Sequence, residues 1–187
     1  VGPSIAHDIK VNSFIAVIFS LLAIGVYIAI RFKNWQYGMG GVVSLFHDAI
    51  LTIGIFSLLY GLLPFNLTVD QSFIAAILTI IGYSINDTVV IFDRIRENMM
   101  LYPRRSRSEN INHAINSTLA RTINTAGSTC VVLIAIFIFG GEVIRGFVFA
   151  LLFGVIVGTY SSVFIATPVA YDMMKRKDSK NRKAIAE

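Results

Sequence analysis

The sequence predicts an all-α, polytopic membrane protein with five transmembrane helices, and three observations carry that expectation. Of its 187 residues, 55% are hydrophobic and only 14% charged, with a mean hydropathy of +0.70; a soluble domain carries about 25% charged residues. Five apolar stretches reach the roughly 20 residues that a helix needs to cross a bilayer. The basic residues gather at alternate joints between those stretches.

Taken in order, residues 1–12 form a lead-in, and the spans fall at about 13–30, 38–59, 72–92, 119–140 and 144–171. Val1-Gly2-Pro3 offers neither an initiator Met nor a signal-peptide pattern, so the chain reads as a piece of a longer protein. The second span opens on Gly38, Gly40 and Gly41. Leu62-Leu63-Pro64-Phe65-Asn66, broken by Pro64, forms the next loop. The linker 93–118 is basic and is expected to hold a short surface helix that leads into the fourth span. Its N-cap would be Ser108, with Ile111, Ile115 and Leu119 recurring at i, i+4, i+8. Gly140-Gly141-Glu142 makes a tight turn. The fifth span is long enough to tilt, to kink near Pro168, or to run on into the basic segment 172–187. That segment reads as a disordered cytoplasmic tail beside anionic lipid, with no nucleic acid expected. Cys130 is the only cysteine, which excludes an intrachain disulfide.

The joints assign an orientation. Arg31 and Lys33 follow the first span; Arg94, Arg96, Arg104, Arg105, Arg107 and Arg121 surround the linker; Lys175, Arg176, Lys177, Lys180, Arg182 and Lys183 follow the fifth. Only Lys10 and Arg145 lie at the other end, so 14 basic residues face 2. The positive-inside rule then puts residue 1 outside the cytoplasm and the C-terminus within it.

The polar residues inside the spans are the candidates for function. A charge at mid-bilayer costs roughly 2.5–3.5 kcal/mol even on the lenient insertion scale. Asp87 sits about fourteen residues into the third span, or about 20 Å from its outer edge, too deep for its short stem to reach water. Tyr83, Asn86 and Thr88 accompany it, and Thr79 extends the stripe, which should face other helices or a hydrated crevice. On the fourth span, Ser117, Arg121, Asn124 (or Thr125) and Ser128 share one helical face. Depth alone brings Arg121 within reach of Asp87; the other reading has Arg121 snorkelling to headgroups. His47 and Asp48 lie near the middle of the second span. Asp48 suits either a second proton stop or a hydrogen-bonding post, and His47 is read as structural, with a relay as the alternative. Gly154 and Gly158 form a G-x-x-x-G that lets backbones approach. Thr159, Tyr160, Ser161 and Ser162 could hydrogen-bond across helices or face water, with packing the favoured reading. No metal site and no cofactor are expected.

Gly82 to Asn98, GYSINDTVVIFDRIREN, resembles the signature of the SecF family of bacterial protein-export subunits. Val1-Gly2-Pro3, Phe46-His47-Asp48 and Ala120-Arg121-Thr122-Ile123-Asn124-Thr125 fit the same family in the same order. The resemblance covers nearly the whole chain. It places the chain in the resistance–nodulation–division (RND) transporter class, as helices two to six of a six-helix repeat. The first helix and a large extracytoplasmic domain would be missing. It implies a bacterial inner-membrane location and partnership with SecD (fused or separate), with the SecYEG translocon and with an unfolded exported polypeptide. It also implies that Asp87 and Arg121 serve proton movement, with sodium as the other candidate coupling ion.

On that expectation the chain is a transporter component and not an enzyme. An RND-type small-molecule exporter is the alternative, since its proton chemistry would look identical. An intramembrane aspartyl protease could use Asp48 and Asp87, but the Gly-x-Gly-Asp context of that class is absent, because Asp87 follows Ser-Ile-Asn.

Overall fold

In the computed structural model the backbone is described for residues 3–186 and the side chains for residues 11–177. Val1 and the side chains of Lys10, Lys180, Arg182 and Lys183, used above for orientation, lie outside the described residues. Every regular element among the described residues is helical: α1 (Pro3–Phe32), α2 (Trp35–Leu59), α3 (Gln71–Leu101), α4 (Arg107–Phe139), α5 (Glu142–Ser161), a π-helical segment (Ser162–Ala166) and α6 (Thr167–Ala186). The last three run on without a break, which leaves five rods long and apolar enough to cross a membrane. The predicted fold class is the observed one.

Three boundaries differ from the sequence reading, each for a local reason. The helix expected in the linker is present and leads into the fourth span, but as the first turns of α4 and not as a separate piece; α3 also runs on into the linker and leaves only 102–106 non-helical. The cap of α4 is Ser106 and not Ser108: Ser106 Oγ accepts from the Glu109 N–H at 3.2 Å, and Glu109 Oε2 accepts from the Ser106 N–H at 2.9 Å. That reciprocal capping box satisfies two otherwise orphaned donors. The bonds from the Ser106 N–H and hydroxyl also hold the Glu109 carboxyl below the ordinary range. The tail is likewise not disordered through its length, since α6 continues to Ala186.

Pro168 explains the irregularity in the fifth rod. Proline has no N–H, and its ring clashes with the carbonyl four residues earlier. The wider π turn just before it relieves both problems, and the Thr167 hydroxyl donates to the carbonyl of Ser162 at 3.0 Å.

Helix α3 is central and packs on α2, α4 and α5. Two apolar layers cross the bundle. Toward the basic end, Phe32, Tyr37 and Phe92 form an aromatic triangle with centroids 4.8–5.9 Å apart, set among Ile28, Ile91 and Ile95. Toward the other end, Phe56 and Phe73 meet at 4.3 Å among Leu45, Ile77 and Ile81. Small residues permit the close crossings. A Cβ at Gly40 would lie 2.5 Å from the carbonyl oxygen of Ala166, so α2 touches the π segment backbone to backbone. A Cβ at Gly154 would overlap Ile80, and one at Gly158 would lie 2.9 Å from Ser84 Cβ. These contacts seat α5 directly on α3.

Candidate functional site

Between the two apolar layers lies a polar one, built from α2, α3, α5 and the π segment. Its hub is Asp48, which is completely buried. The Ser84 hydroxyl of α3 donates to Asp48 Oδ2 at 2.7 Å, and the Ser161 hydroxyl of α5 donates to the same oxygen at 2.8 Å. The other carboxylate oxygen lies 3.1 Å from Nδ1 of His47, whose ring is partly exposed. The Thr52 hydroxyl donates to the Asp48 carbonyl at 2.8 Å and fixes the local helix turn. One turn along α3, the Thr88 and Ser162 hydroxyls share a bond of 2.8 Å. Ser162 also reaches the carbonyls of Gly158 and Ser84, at 2.9 and 3.3 Å. Every oxygen of the Asp48 carboxylate therefore has a partner. That arrangement holds three helices in one register.

Asp87 lies one face away on α3, in different surroundings. It is 3% exposed, and its Oδ2 is buried with no hydrogen-bond partner. Contacts between α3 and α4 fix the antiparallel register there: the Tyr83 hydroxyl donates to Thr129 Oγ1 at 3.2 Å, and Arg94 Nε donates to Ser117 Oγ at 3.1 Å. This register puts Asp87 level with Asn124 and Thr125. Half a turn nearer the basic end, Thr122 is buried with an unpartnered hydroxyl of its own.

Arg121 does not form an ion pair with Asp87. It is exposed, about one turn nearer the basic end, in a cleft with Val90, Asp93, Arg94, Glu97, Ser117 and Thr118. It remains within Coulombic reach of the Asp87 carboxyl. The reason is geometric: the helix period puts Arg121, Asn124 and Ser128 on one face, and packing turns that face outward. Asn86 and Thr79 of α3 are exposed as well, while Tyr83 is half-buried. The α3 stripe is thus split. Asp87 points among the helices, Asn86 points out, and Thr88 belongs to the Asp48 layer.

Ser84 and Thr122 went unmarked in the sequence reading. Ser84 and Thr88 stand at i and i+4 within the otherwise apolar row of Ile77, Ile81 and Ile91, and such a polar interruption of a buried stripe is a legible signal. Thr122 had no such cue, being one polar residue in an already polar turn.

The two acids are chemically distinct. A carboxylate buried without a donor costs several kcal/mol, far more than the neutral acid. Asp48 has donors that meet that cost; Asp87 Oδ2 has none. The pair therefore separates an acid whose two oxygens both have partners from one with a buried, unpartnered oxygen.

Residues 1–176 match the family model for the C-terminal part of protein export membrane protein SecD/SecF. The chain is 52% identical over 186 residues to protein translocase subunit SecF of Rhodothermus marinus, covering 100% of this chain and 60% of that protein. It is 46% identical over 166 residues to the subunit of the same name from Cereibacter sphaeroides, covering 89% of this chain and 49% of that one. The chain thus spans about half to three-fifths of the length of these relatives. A crystal structure of SecDF in its super-membrane-facing form superposes with a TM-score of 0.84 at 35% identity, over 98% of this chain and 24% of that chain.

Proposed function

This chain belongs to the SecD/SecF protein-export family, and from that premise we propose that it is the membrane part of a SecF-type translocase subunit, in which Asp87 takes up and releases the coupling ion. It performs no covalent chemistry and needs no cofactor beyond that ion, a proton or alternatively sodium. The observation that carries the reading is the buried, unpartnered oxygen of Asp87 in the middle of α3. A group so placed gains most from a proton, a cation or water arriving in one state and leaving in another.

Arg121 supplies the second state. It waits about one turn away, and a small shift of α4 along α3 brings its guanidinium to the carboxylate. Alternation between a protonated, isolated acid and an ionised, paired one converts ion flow into helix movement. One charge crossing 100 mV yields about 2.3 kcal/mol, so repeated capture and release must move the exported polypeptide.

The surroundings are consistent with this role. Thr79, Gly82 and Asn86 of α3 and Arg121, Asn124, Gly127 and Ser128 of α4 are all exposed, and nothing lies near a Cβ added at Gly82 or Gly127. Polar and small residues on a membrane face favour a protein neighbour over lipid. SecD is that neighbour, and together the halves enclose Asp87. The 14 basic residues at one end, against 2 at the other, favour a cytoplasmic C-terminus in the bacterial inner membrane. SecYEG and the emerging polypeptide complete the partnership. The relatives' names favour polypeptide export over small-molecule export.

The test is export of a secreted reporter in cells whose full-length subunit carries Arg121→Ala or Arg121→Lys. Arg121→Ala should slow gradient-dependent export about tenfold or more, with Arg121→Lys in between because it keeps the charge without the fork. Wild-type rates with Arg121→Ala would remove the arginine from the cycle.

A further inference from the structure

We propose that the cleft at the basic end of the bundle, between the α3–α4 corner and α6, binds the headgroup of an anionic phospholipid of the phosphatidylglycerol type, a phosphodiester that also carries hydroxyl donors. The cleft holds about 450 Å³. Arg105, just before α4, Arg107, at its start, and Lys175, on α6, all line it. Among the described residues, no carboxylate lines it. The contrast with nearby arginines is informative: Arg31 pairs with Asp93 at 3.3 Å and Arg94 with Glu97 at 2.8 Å. Among the described residues, neither Arg105 nor Lys175 is paired with a carboxylate at salt-bridge distance; Arg105 is within Coulombic reach of the Glu109 carboxyl, and Arg107 has a partner of its own.

Two features specify the guest beyond charge. Asn110 lines the cleft and is 2% exposed, and its Oδ1 has no donor while its Nδ2 donates to the Tyr102 carbonyl at 3.1 Å. A bare phosphodiester meets the cations but brings no donor for that oxygen; a glycerol hydroxyl does. The Arg105 guanidinium is already positioned, 4.0 Å above the Tyr102 ring.

The second feature selects a lipid over free phosphate. Met100, Leu101 and Tyr102 are exposed apolar residues at the end of α3, lying in sequence between Met99 and Pro103 of the lining, where the glycerol backbone and upper acyl carbons of a lipid would lie. Cytoplasmic leaflets present anionic headgroups to basic clefts between spanning helices. The inference rests on the proposed orientation, in which this end faces that leaflet.

The full-length subunit in neutral detergent is titrated with dioctanoyl phosphatidylglycerol, dioctanoyl phosphatidylcholine and inorganic phosphate, and the melting temperature is followed. Phosphatidylglycerol should raise it, and the other two should not. The exposed double variant Arg105→Gln/Lys175→Gln should bind phosphatidylglycerol about tenfold more weakly or worse. Arg104→Gln/Lys177→Gln, with the same loss of charge, should respond as wild type does. Equal responses of the two double variants, or of the two lipids, would overturn the site, and phosphate matching phosphatidylglycerol would assign it to a free anion instead. Orientation is read separately, by labelling Lys177→Cys in a Cys130→Ser background with an impermeant maleimide on intact cells. Labelling from outside would overturn the orientation whatever the detergent titration gives.

Discussion

Asp87→Asn should abolish gradient-driven export while leaving the subunit folded and inserted. The substitution keeps the shape of the side chain and removes only its ability to titrate. Because Asp87 Oδ2 has no partner, no existing bond to that atom is lost, and stability should move by no more than about 1 kcal/mol. The functional loss should be far larger. Removing a positioned proton-transfer group typically costs about a hundredfold or more. The measurement is translocation into inverted membrane vesicles under an imposed gradient, with subunit level and melting temperature recorded beside it. Export at the wild-type rate and with wild-type gradient dependence would remove Asp87 from the coupling step. Loss of both export and folded protein would mean that the acid serves structure.

The Asp48 layer should respond in the opposite pattern, which makes it the natural counterpart. Asp48→Ala removes the acceptor for two buried hydroxyls and the partner of His47, and leaves a small cavity between α2, α3 and α5. Each hydrogen bond to a charged group is worth about 1.5–3 kcal/mol. Part of that loss is offset, because Ser161 already lies 3.1 Å, and Ser84 3.5 Å, from the carbonyl oxygen of Gly158. A net destabilisation of about 3 kcal/mol follows, enough to lower the amount of folded protein visibly. Asp48→Asn keeps one oxygen in place for both serines and offers an amide to His47. It should cost no more than about 1 kcal/mol and leave export near the wild-type rate. Thermal unfolding and the vesicle assay on the two variants decide the matter. If Asp48→Asn stops export in a stable protein, Asp48 is a second ion stop and the division of labour between the acids fails.

The physical reason for these opposed expectations also marks the limit of what could be read from the sequence. Spans are legible because lipid imposes a length and a polarity on each segment independently of its neighbours. The runs around Ile77 or Val131 declare themselves, as does the asymmetry of Arg31, Arg104 and Lys175. Ends are legible where a local motif writes them. Ser106-Arg107-Ser108-Glu109 carries the S-x-x-E spacing of a capping box, and attention to that spacing separates Ser106 from Ser108 without coordinates. Pro168 foretold an irregular turn but not its π form.

Which helix each face meets is a different kind of information. Periodicity groups Arg121, Asn124 and Ser128 correctly on one face. It cannot say that packing turns this face away from Asp87 and out of the bundle. Nor can it join Asp48 to Ser84 and Ser161, 36 and 113 residues further along, because that meeting depends on Gly158 letting α5 approach α3. Intramembrane acids thus announce themselves one at a time, and their partners emerge only from the packing.

The most direct measurement is infrared titration of the full-length subunit reconstituted with SecD, following the carboxylic C=O stretch as pH is cycled. The wild type should show a reversible protonated-carboxyl band that disappears in Asp87→Asn and survives in Asp48→Asn. A band that persists unchanged in Asp87→Asn, or that is lost only in Asp48→Asn, would contradict the role given to Asp87.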